Sequence, residues 1–470
     1  MRKFYSLLLV SVLALSLFLS ACSKDKNALK LLGEDEQVKL KVVCFDENYF
    51  YQQYANYFSM KYPNVEFEVI STNKMQQELE ESKNPDSNEA YTKFIEKNQP
   101  DVLMLYANQF EKFASAGKLY ELDTMIKQEK FDMDSIIPNV IQLLKDKGGG
   151  KIYGLAPTFS AQAIYYNIDM FQKYGVDLPK NQMTWEEVLQ LAKRFPTGGS
   201  EKDREYGLYM DYGMTPSNFI MMVANTENLR LVDKEEEKVQ FDAEQWRKVY
   251  QLVVDGFQSK TLVNRDMNMQ GGTMESYYQG KTFLMGKTAM AIGGTWLTNE
   301  MQRVKDDLKD YKPFQWGVVT APVSAMDPNT ADSMYLDEII AINAQSPNTR
   351  AAWEFVKFVN GPEMAKMQSR QLSGSLPTRK EFIKDKENHD LSAFYMLTPR
   401  AKNVTYRFEK TPESFFQTIL QVMDEQTKQV LDNTQSADQA ITNIQKQLQE
   451  GLIKAKQEEK AAKEKEQAKK

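Results

Sequence analysis

Histidine is almost missing from this chain: His389 is the only one, and cysteine stops at Cys22 and Cys44. A zinc site of the usual Cys/His type is thereby excluded, and so is a fold stapled by disulfides. Histidine catalysis would rest on His389 alone, in the charged stretch Lys384 to Asp390 that reads as solvated loop. Nor is there an excess of positive charge. The 59 Lys+Arg against 65 Asp+Glu leave a net charge of −6, which argues against a nucleic-acid binder, whose phosphate contacts need a basic surface. No internal repeat is found. What is present is length and apolar substance. The 470 residues exceed what one hydrophobic core usually serves, so two domains or lobes are expected. Apolar residues at 42% and charged residues at 26%, with 25 Phe, 23 Tyr and 5 Trp, describe a globular chain rather than a disordered one.

The first residues carry the most specific signal. Arg2 and Lys3 precede an apolar run from Leu7 to Leu19, then Leu19-Ser20-Ala21-Cys22. A short apolar core behind positive charges reads as a secretory signal peptide, since a span needs roughly 20 apolar residues. The last four residues resemble a bacterial lipobox, which implies cleavage before Cys22 and a lipid on its sulfur. An uncleaved N-terminal anchor is the alternative. Cys44 lies in a strand-like run and reads as a small buried residue. Ser23 to Gln37 is polar and charged, as suits a tether.

The compact part opens with a strand, helix, strand pattern. Val38, Leu40 and Val42 alternate with lysines; Phe50, Tyr54, Tyr57 and Phe58 share a helical face; Val65, Phe67 and Val69 alternate again after the Tyr62-Pro63-Asn64 break. Strands joined through a helix pair in parallel, so this begins an α/β domain. A third strand is expected over Val102 to Leu105. Thr184-Trp185-Glu186-Glu187 forms a capping box, and Ser346-Pro347 and Thr411-Pro412 read as side-chain caps with proline at the first helical position. Gly361-Pro362 ends one helix and can start the next. Trp185, Trp246 and Trp353 lie in helical patterns and Trp316 in a strand, all four as core. From Lys454 to Lys470 only Lys, Glu, Gln and Ala occur, a tail unable to build a core.

Two motifs are set aside. Gly280 to Thr288, GKTFLMGKT, has five residues between its glycines where a P-loop has four, and no strand precedes it. Asp327 to Asp332 is oxygen-rich but lacks the alternating ligands, central Gly and distal Glu of a calcium loop, so it reads as a turn.

Several segments together resemble family 1 extracellular solute-binding proteins. They are Pro100-Asp101-Val102 with Phe110, Gly117-Lys118-Leu119 and Leu122-Asp123; Lys151 to Pro157; Tyr165 to Phe171; and Thr184-Trp185. Phe283 to Trp296, containing Gly286-Lys287-Thr288-Ala289-Met290 and Gly293-Gly294-Thr295-Trp296, is similar to that family's second-lobe signature. Ala341 to Gly361 and Gly374-Ser375-Leu376-Pro377-Thr378-Arg379 fit its return segments. The resemblance implies an α/β, two-lobed periplasmic-binding-protein-like fold of type II, with three chain crossings and a hinge that closes the lobes around ligand. Lobe 1 is expected over 38–159 and 338–373, and lobe 2 over 160–337 and 374–453. These follow a leader over 1–22 and a tether over 23–37, and precede a tail over 454–470. It further implies a non-catalytic, monomeric receptor without cofactor or metal. Such a receptor is lipid-anchored outside the bacterial membrane and passes a sugar or oligosaccharide to ABC permease subunits.

Sugars offer apolar ring faces and a rim of hydroxyls, which aromatic rings and Asp, Glu, Asn or Gln side chains match. Open α/β sheets bind ligands beyond strand carboxyl ends. Candidates are therefore Asp46 and Glu47 after the first strand, Tyr106 and Asn108 after the third, and Ser160 and Gln162 at the first crossing. Tyr212 in a Gly- and Pro-bearing loop, Trp296 at the family's Gly-x-Trp position, and Tyr335 and Asp337 at the second crossing complete the set. Asp46 and Glu47 have an alternative as the acid pair of a helix N-terminus; Trp296 has one in the core. Ser333 to Glu338 stands where family members carry small residues, and its bulk narrows that side. A glycan hydrolase with paired carboxylates and a surface sensor are the other functional classes compatible with this composition.

Overall fold

The computed structural model describes residues 32–33, 36–73, 75, 87–199, 204–210, 215–262, 273–370, 374–400, 405, 408, 410–412 and 414–467. The leader with Cys22, nearly all of the tether, and Tyr212 lie outside the described residues. The chain divides into two compact units. The first comprises the chain to Asp134 with Lys147–Leu155 and Glu338–Gly361; the second comprises Ser135–Asp146, Ala156–Asp337 and Pro362–Lys470. Residues 135–146, 156–159 and 362–373, expected with the first lobe, belong to the second unit. The helix Pro138–Lys147 is tied there because Ile137 N–H donates to the Thr378 carbonyl and Asn139 donates to the carbonyls of Tyr395 and Leu397.

The first unit is built on a five-stranded sheet of order β2-β1-β3-β11-β4, where β1 is Val38–Cys44, β2 Val65–Ser71, β3 Val102–Leu105, β4 Gly154–Leu155 and β11 Ile339–Ile342. Alternation brought Leu40 and Val42 inward, and the helical crossover makes β1 and β2 parallel, as expected of strands joined through a helix. Phe50, Tyr54 and Phe58 fill the face beneath, although Tyr51–Ala55 is wound as a π turn inside that helix. The strand β11 enters antiparallel between β3 and β4.

In the second unit the long strand β5, Thr158–Asn167, is the spine. Its first half pairs with β10 (Met334–Leu336) and β12 (Leu376–Pro377), and its second half with β7 (Thr288–Gly294) and β8 (Trp316–Thr320); β6 (Tyr206–Met210) lies parallel to β7. A short parallel pair joins β9, Thr330–Ala331, to β13, Thr398–Pro399. The core gathers Trp185, Trp246, Phe219 and Tyr250 with the inner faces of the two C-terminal helices, Ser414–Leu431 and Ala437–Gln467, and its last member is Ala455. All four tryptophans assigned to core are buried: Trp185, Trp246 and Trp316 here, and Trp353 in the first unit.

Three local expectations are corrected. Ser346 accepts from Asn348 N–H at 3.0 Å, a cap-like bond in the turn that leads into the helix rather than at its first residue. Its hydroxyl donates to Asp101 at 2.6 Å, and the helix begins at Thr349. Thr411 likewise donates to buried Glu236, and that helix begins at Ser414. His389 is not in a solvated loop: its ring stacks on Trp316 with centroids 3.7 Å apart, and Asp385 bonds its Nδ1. By contrast, the Thr184 capping box forms as expected, and Gly361-Pro362 separates two helices. Gly280 closes a helix, Met274–Gly280, and a strand follows the turn. A P-loop needs the reverse order.

Candidate functional site

In the second unit a pocket of about 300 Å³ opens among the ends of β5, β6 and β7, the helix Pro216–Thr226, and the segments around Ala331 and Arg400. That helix starts because Thr215 caps it and Pro216 occupies its first turn. Asn218, Met222 and Asn225 then fall at spacings of four and three, so one face lines the wall. Trp185 closes the back, its indole N–H donating to Thr226 at 2.8 Å.

Three residues expected from the sequence meet here: Gln162, Trp296 and Tyr335. Gln162 is anchored through its backbone N–H to the Ser333 carbonyl at 2.8 Å, and its side chain reaches the pocket. Tyr335 is half exposed, while its hydroxyl turns in to donate to the Asp332 carbonyl at 3.0 Å. Burial, and then the Asp332 charge, push that hydroxyl up to about 12. Trp296 opens the helix Trp296–Asp307 and is half-buried at the rim. Gly293 and Gly294, two small residues just before it, would be expected to leave room for a ligand beside the ring. At Gly294 the room is filled by the indole itself, because a Cβ there would lie 1.6 Å from the Trp296 ring.

The polar groups that sequence reasoning missed are Asn218, Asn225, Asp332 and Arg400. The Thr215-Pro216 start with Asn at its third and tenth helical positions was a readable signal for the first two. Nothing local marks Arg400, whose guanidinium donates to the carbonyls of Asn225 (2.8 Å) and Thr226 (3.0 Å). It thereby satisfies the end of the helix that forms the wall. Asn225 donates toward Asp332 at 3.4 Å. The pocket therefore holds one cationic and one anionic side chain, amides, and three indole or phenol rings.

Ser160 and Asp337 lie apart from this pocket. Ser160 donates to Asp337 Oδ1 at 2.6 Å, with the Ser375 hydroxyl 3.4 Å from that of Ser160. Burial raises the Asp337 carboxyl above its usual range, opposed by its hydroxyl donors. The remaining candidates belong to the first unit. Asp46 takes the alternative role, its Oδ1 accepting from Tyr49 N–H at 2.8 Å to cap the helix Glu47–Phe50, with Glu47 exposed in the first turn. Tyr106 and Asn108 are exposed at the start of the helix Ala107–Ser115. Tyr106 (51% exposed) shares the carboxyl end of this sheet with Phe45 (40%) and Tyr49 (45%). Glu338 accepts from Tyr54 at 3.2 Å, and burial followed by this carboxylate raises both Tyr54 and Tyr106 above the usual phenol range. Among the described residues no group of acids, Cys and His could hold a metal, and no helix is long and apolar enough to cross a membrane.

The family model described as bacterial extracellular solute-binding protein matches residues 45–366. The chain belongs to this family. It is a family of binding proteins, not enzymes, and it acts outside the cytoplasm. A Brucella abortus (strain 2308) protein named as a binding protein is 26% identical over 267 residues, 54% of this chain and 58% of the relative. The chain thus spans little more than half the length of the curated relatives it matches. An sn-glycerol-3-phosphate-binding periplasmic protein of the same organism is 27% identical over 110 residues, 23% of this chain and 25% of that one. Among solved structures, the sugar-binding protein MalE from Xanthomonas citri aligns with TM-score 0.58 at 19% identity, covering 88% of this chain and 98% of its own. The Listeria monocytogenes ABC substrate-binding protein in complex with cycloalternan aligns with TM-score 0.54 at 19% identity, covering 88% and 99%. These likenesses establish the mixed α/β, two-lobed periplasmic-binding fold of this solute-binding protein.

Proposed function

We propose that this solute-binding protein is the receptor of an ABC importer, that its ligand is an uncharged sugar or oligosaccharide, and that a lipid on Cys22 tethers it to the outer face of the cell membrane. The observation that carries the ligand class is the pocket of the second unit. Rings of Trp296 and Tyr335 supply flat apolar surface, and Gln162, Asn218 and Asp332 supply donors and acceptors for hydroxyls. Structurally similar proteins that bind sugars point the same way. The sn-glycerol-3-phosphate-binding relative offers a phosphorylated polyol as the rival. Against it, two donors of the pocket's guanidinium are engaged by backbone carbonyls, and Asp332 sets a like charge where a phosphate would sit.

The test is a thermal-shift screen of the chain from residue 23 against sugars, oligosaccharides, polyols, glycerol 3-phosphate, amino acids and peptides. A ligand at 100 times its Kd adds about 2.7 kcal/mol of stability. Stabilisation by neutral saccharides, lost in Asn218→Ala, is the expected result. Stabilisation by glycerol 3-phosphate alone would overturn the ligand class.

A further inference from the structure

A second cavity of the second unit, about 610 Å³, lies away from the ligand pocket and shares no residue with it. Its floor is Thr298, Asn299 and Gln302 of the helix Trp296–Asp307. Two cations line each side: Lys366 and Arg370 from the helix Pro362–Gln368 and the turn that continues it, Lys384 and Lys386 from the loop before His389. Lys366 and Arg370, four apart, share a helical face, while Lys384 and Lys386 reach the cavity from an irregular loop that turns at Lys386.

All four cations are exposed, and none of their side chains has an ion-pair or hydrogen-bond partner among the described residues. Lys173, Lys281, Lys305 and Lys456, for comparison, are all paired with glutamates. Two carboxylates border the groove. Asp385 is engaged by His389, through both the backbone N–H and the ring, and with Glu381 it sets two acids against four cations. On a chain of net charge −6, the groove is a local concentration of positive charge.

We propose that this groove docks an acidic peptide segment of a partner protein. Its two cationic sides and amide floor suit carboxylates projecting from an extended strand, with Asn299 available to the peptide backbone. Two rows of cations separated by a cavity of this size span several carboxylates, more than one small anion supplies. The contact is electrostatic and solvated, so it contributes association rate and specificity and is screened by salt.

The probe is a fluorescently labelled hexaglutamate peptide, titrated by anisotropy against the chain from residue 23 at low and at physiological ionic strength. Binding that falls with added salt, and that weakens about tenfold or more in Lys366→Glu/Arg370→Glu, is the expected result. The loop pair Lys384→Glu/Lys386→Glu, which alters no helix, should give the same loss. Circular dichroism and thermal unfolding like those of the unaltered chain establish that both variants are folded, independently of which solute the protein binds. Absence of binding at low salt, or equal binding by folded variants, would overturn the proposal. So would binding to phosphatidylglycerol vesicles with no response to the peptide, which would make the groove a membrane contact instead.

Discussion

Gly294→Ala is the sharpest probe of how the pocket rim is held. The new methyl carbon would sit 1.6, 2.1 and 2.2 Å from three atoms of the Trp296 six-membered ring, where ordinary contact begins near 3.4 Å. The ring cannot give way at its base, because Gly374 (φ +89°) approaches the Trp296 Cβ so closely that a Cβ on Gly374 would stand at 3.0 Å. Thr295 ties the two segments by donating to the Gly374 carbonyl. The indole must therefore rotate off its site or push β7 out of register. Overpacking of this kind costs about 1–3 kcal/mol. Alanine's lower chain entropy returns about 0.5–1 kcal/mol, since Gly294 has no left-handed φ to protect. A net loss of up to about 2.5 kcal/mol follows, read as a Tm lower by up to several degrees at ~2–4 °C per kcal/mol. Saccharide-induced stabilisation should fall with it. The decisive measurement is the double-mutant cycle: in a Trp296→Ala background the added methyl meets nothing, so Gly294→Ala becomes neutral or slightly stabilising. An equal cost in both backgrounds would refute the reasoning and place the strain in the strand itself.

In the first unit Glu354 is buried and accepts from Tyr62 (3.0 Å), Lys357 (3.0 Å) and Arg350, while Glu129 also holds both cations. Glu354→Gln should cost about 1–3 kcal/mol in urea unfolding, less than a fully orphaned buried pair because Glu129 remains. Burial alone would raise Glu129, but its bonds to Lys357 and the charges of Lys357 and Arg350 win and lower it. Its stabilisation is therefore present above its unfolded value and lost as pH falls through the folded one, and Glu129→Gln should flatten the acid limb of the stability profile. Asp337 has the opposite sign. Its folded pKa is raised by burial, so this residue makes the fold less stable as pH rises through that value, and Asp337→Asn should gain stability relative to the unaltered chain near neutral pH and nothing in acid. Cys22→Ala should abolish incorporation of radiolabelled palmitate in cells; continued labelling would refute the lipobox assignment.

Much of the architecture was legible because its signals are local. Alternation over Val38 to Val42 and Val65 to Val69 yields two strands, the intervening helix makes them parallel, and the Thr184 capping box starts a helix with its apolar stripe inward. The failures share one cause. Ser346 and Thr411 have the composition of caps, and each hydroxyl also donates to an acid remote in sequence, Asp101 and Glu236. His389 sits in a run of charges, yet Trp316, remote in sequence, takes its ring. A hydroxyl can accept from the local backbone while it donates to a distant acid, as Ser346 does, and only the local half of that pattern is legible in sequence. The same limit applies to the site. Asp46 chooses the local option and caps its helix, while Ser160 and Asp337 satisfy each other.

What sequence could not display is that the pocket's charge balance is set by a residue outside every recognisable motif. The wall helix Pro216–Thr226 ends with carbonyls pointing at the pocket, and an unsatisfied helix end there would favour cations. Arg400, delivered from the end of the chain's return segment through its own N–H bond to the Ala331 carbonyl, occupies those carbonyls. The helix end is thereby satisfied by two of the five N–H donors of the guanidinium, which keeps its charge at the pocket wall. Beside it the pocket offers amides, one carboxylate and aromatic faces. A phosphate would meet the like charge of Asp332, whereas a sugar hydroxyl can donate to that same carboxylate. The proposed preference for uncharged ligands thus rests on Asp332 and on how much of Arg400 the helix end already engages.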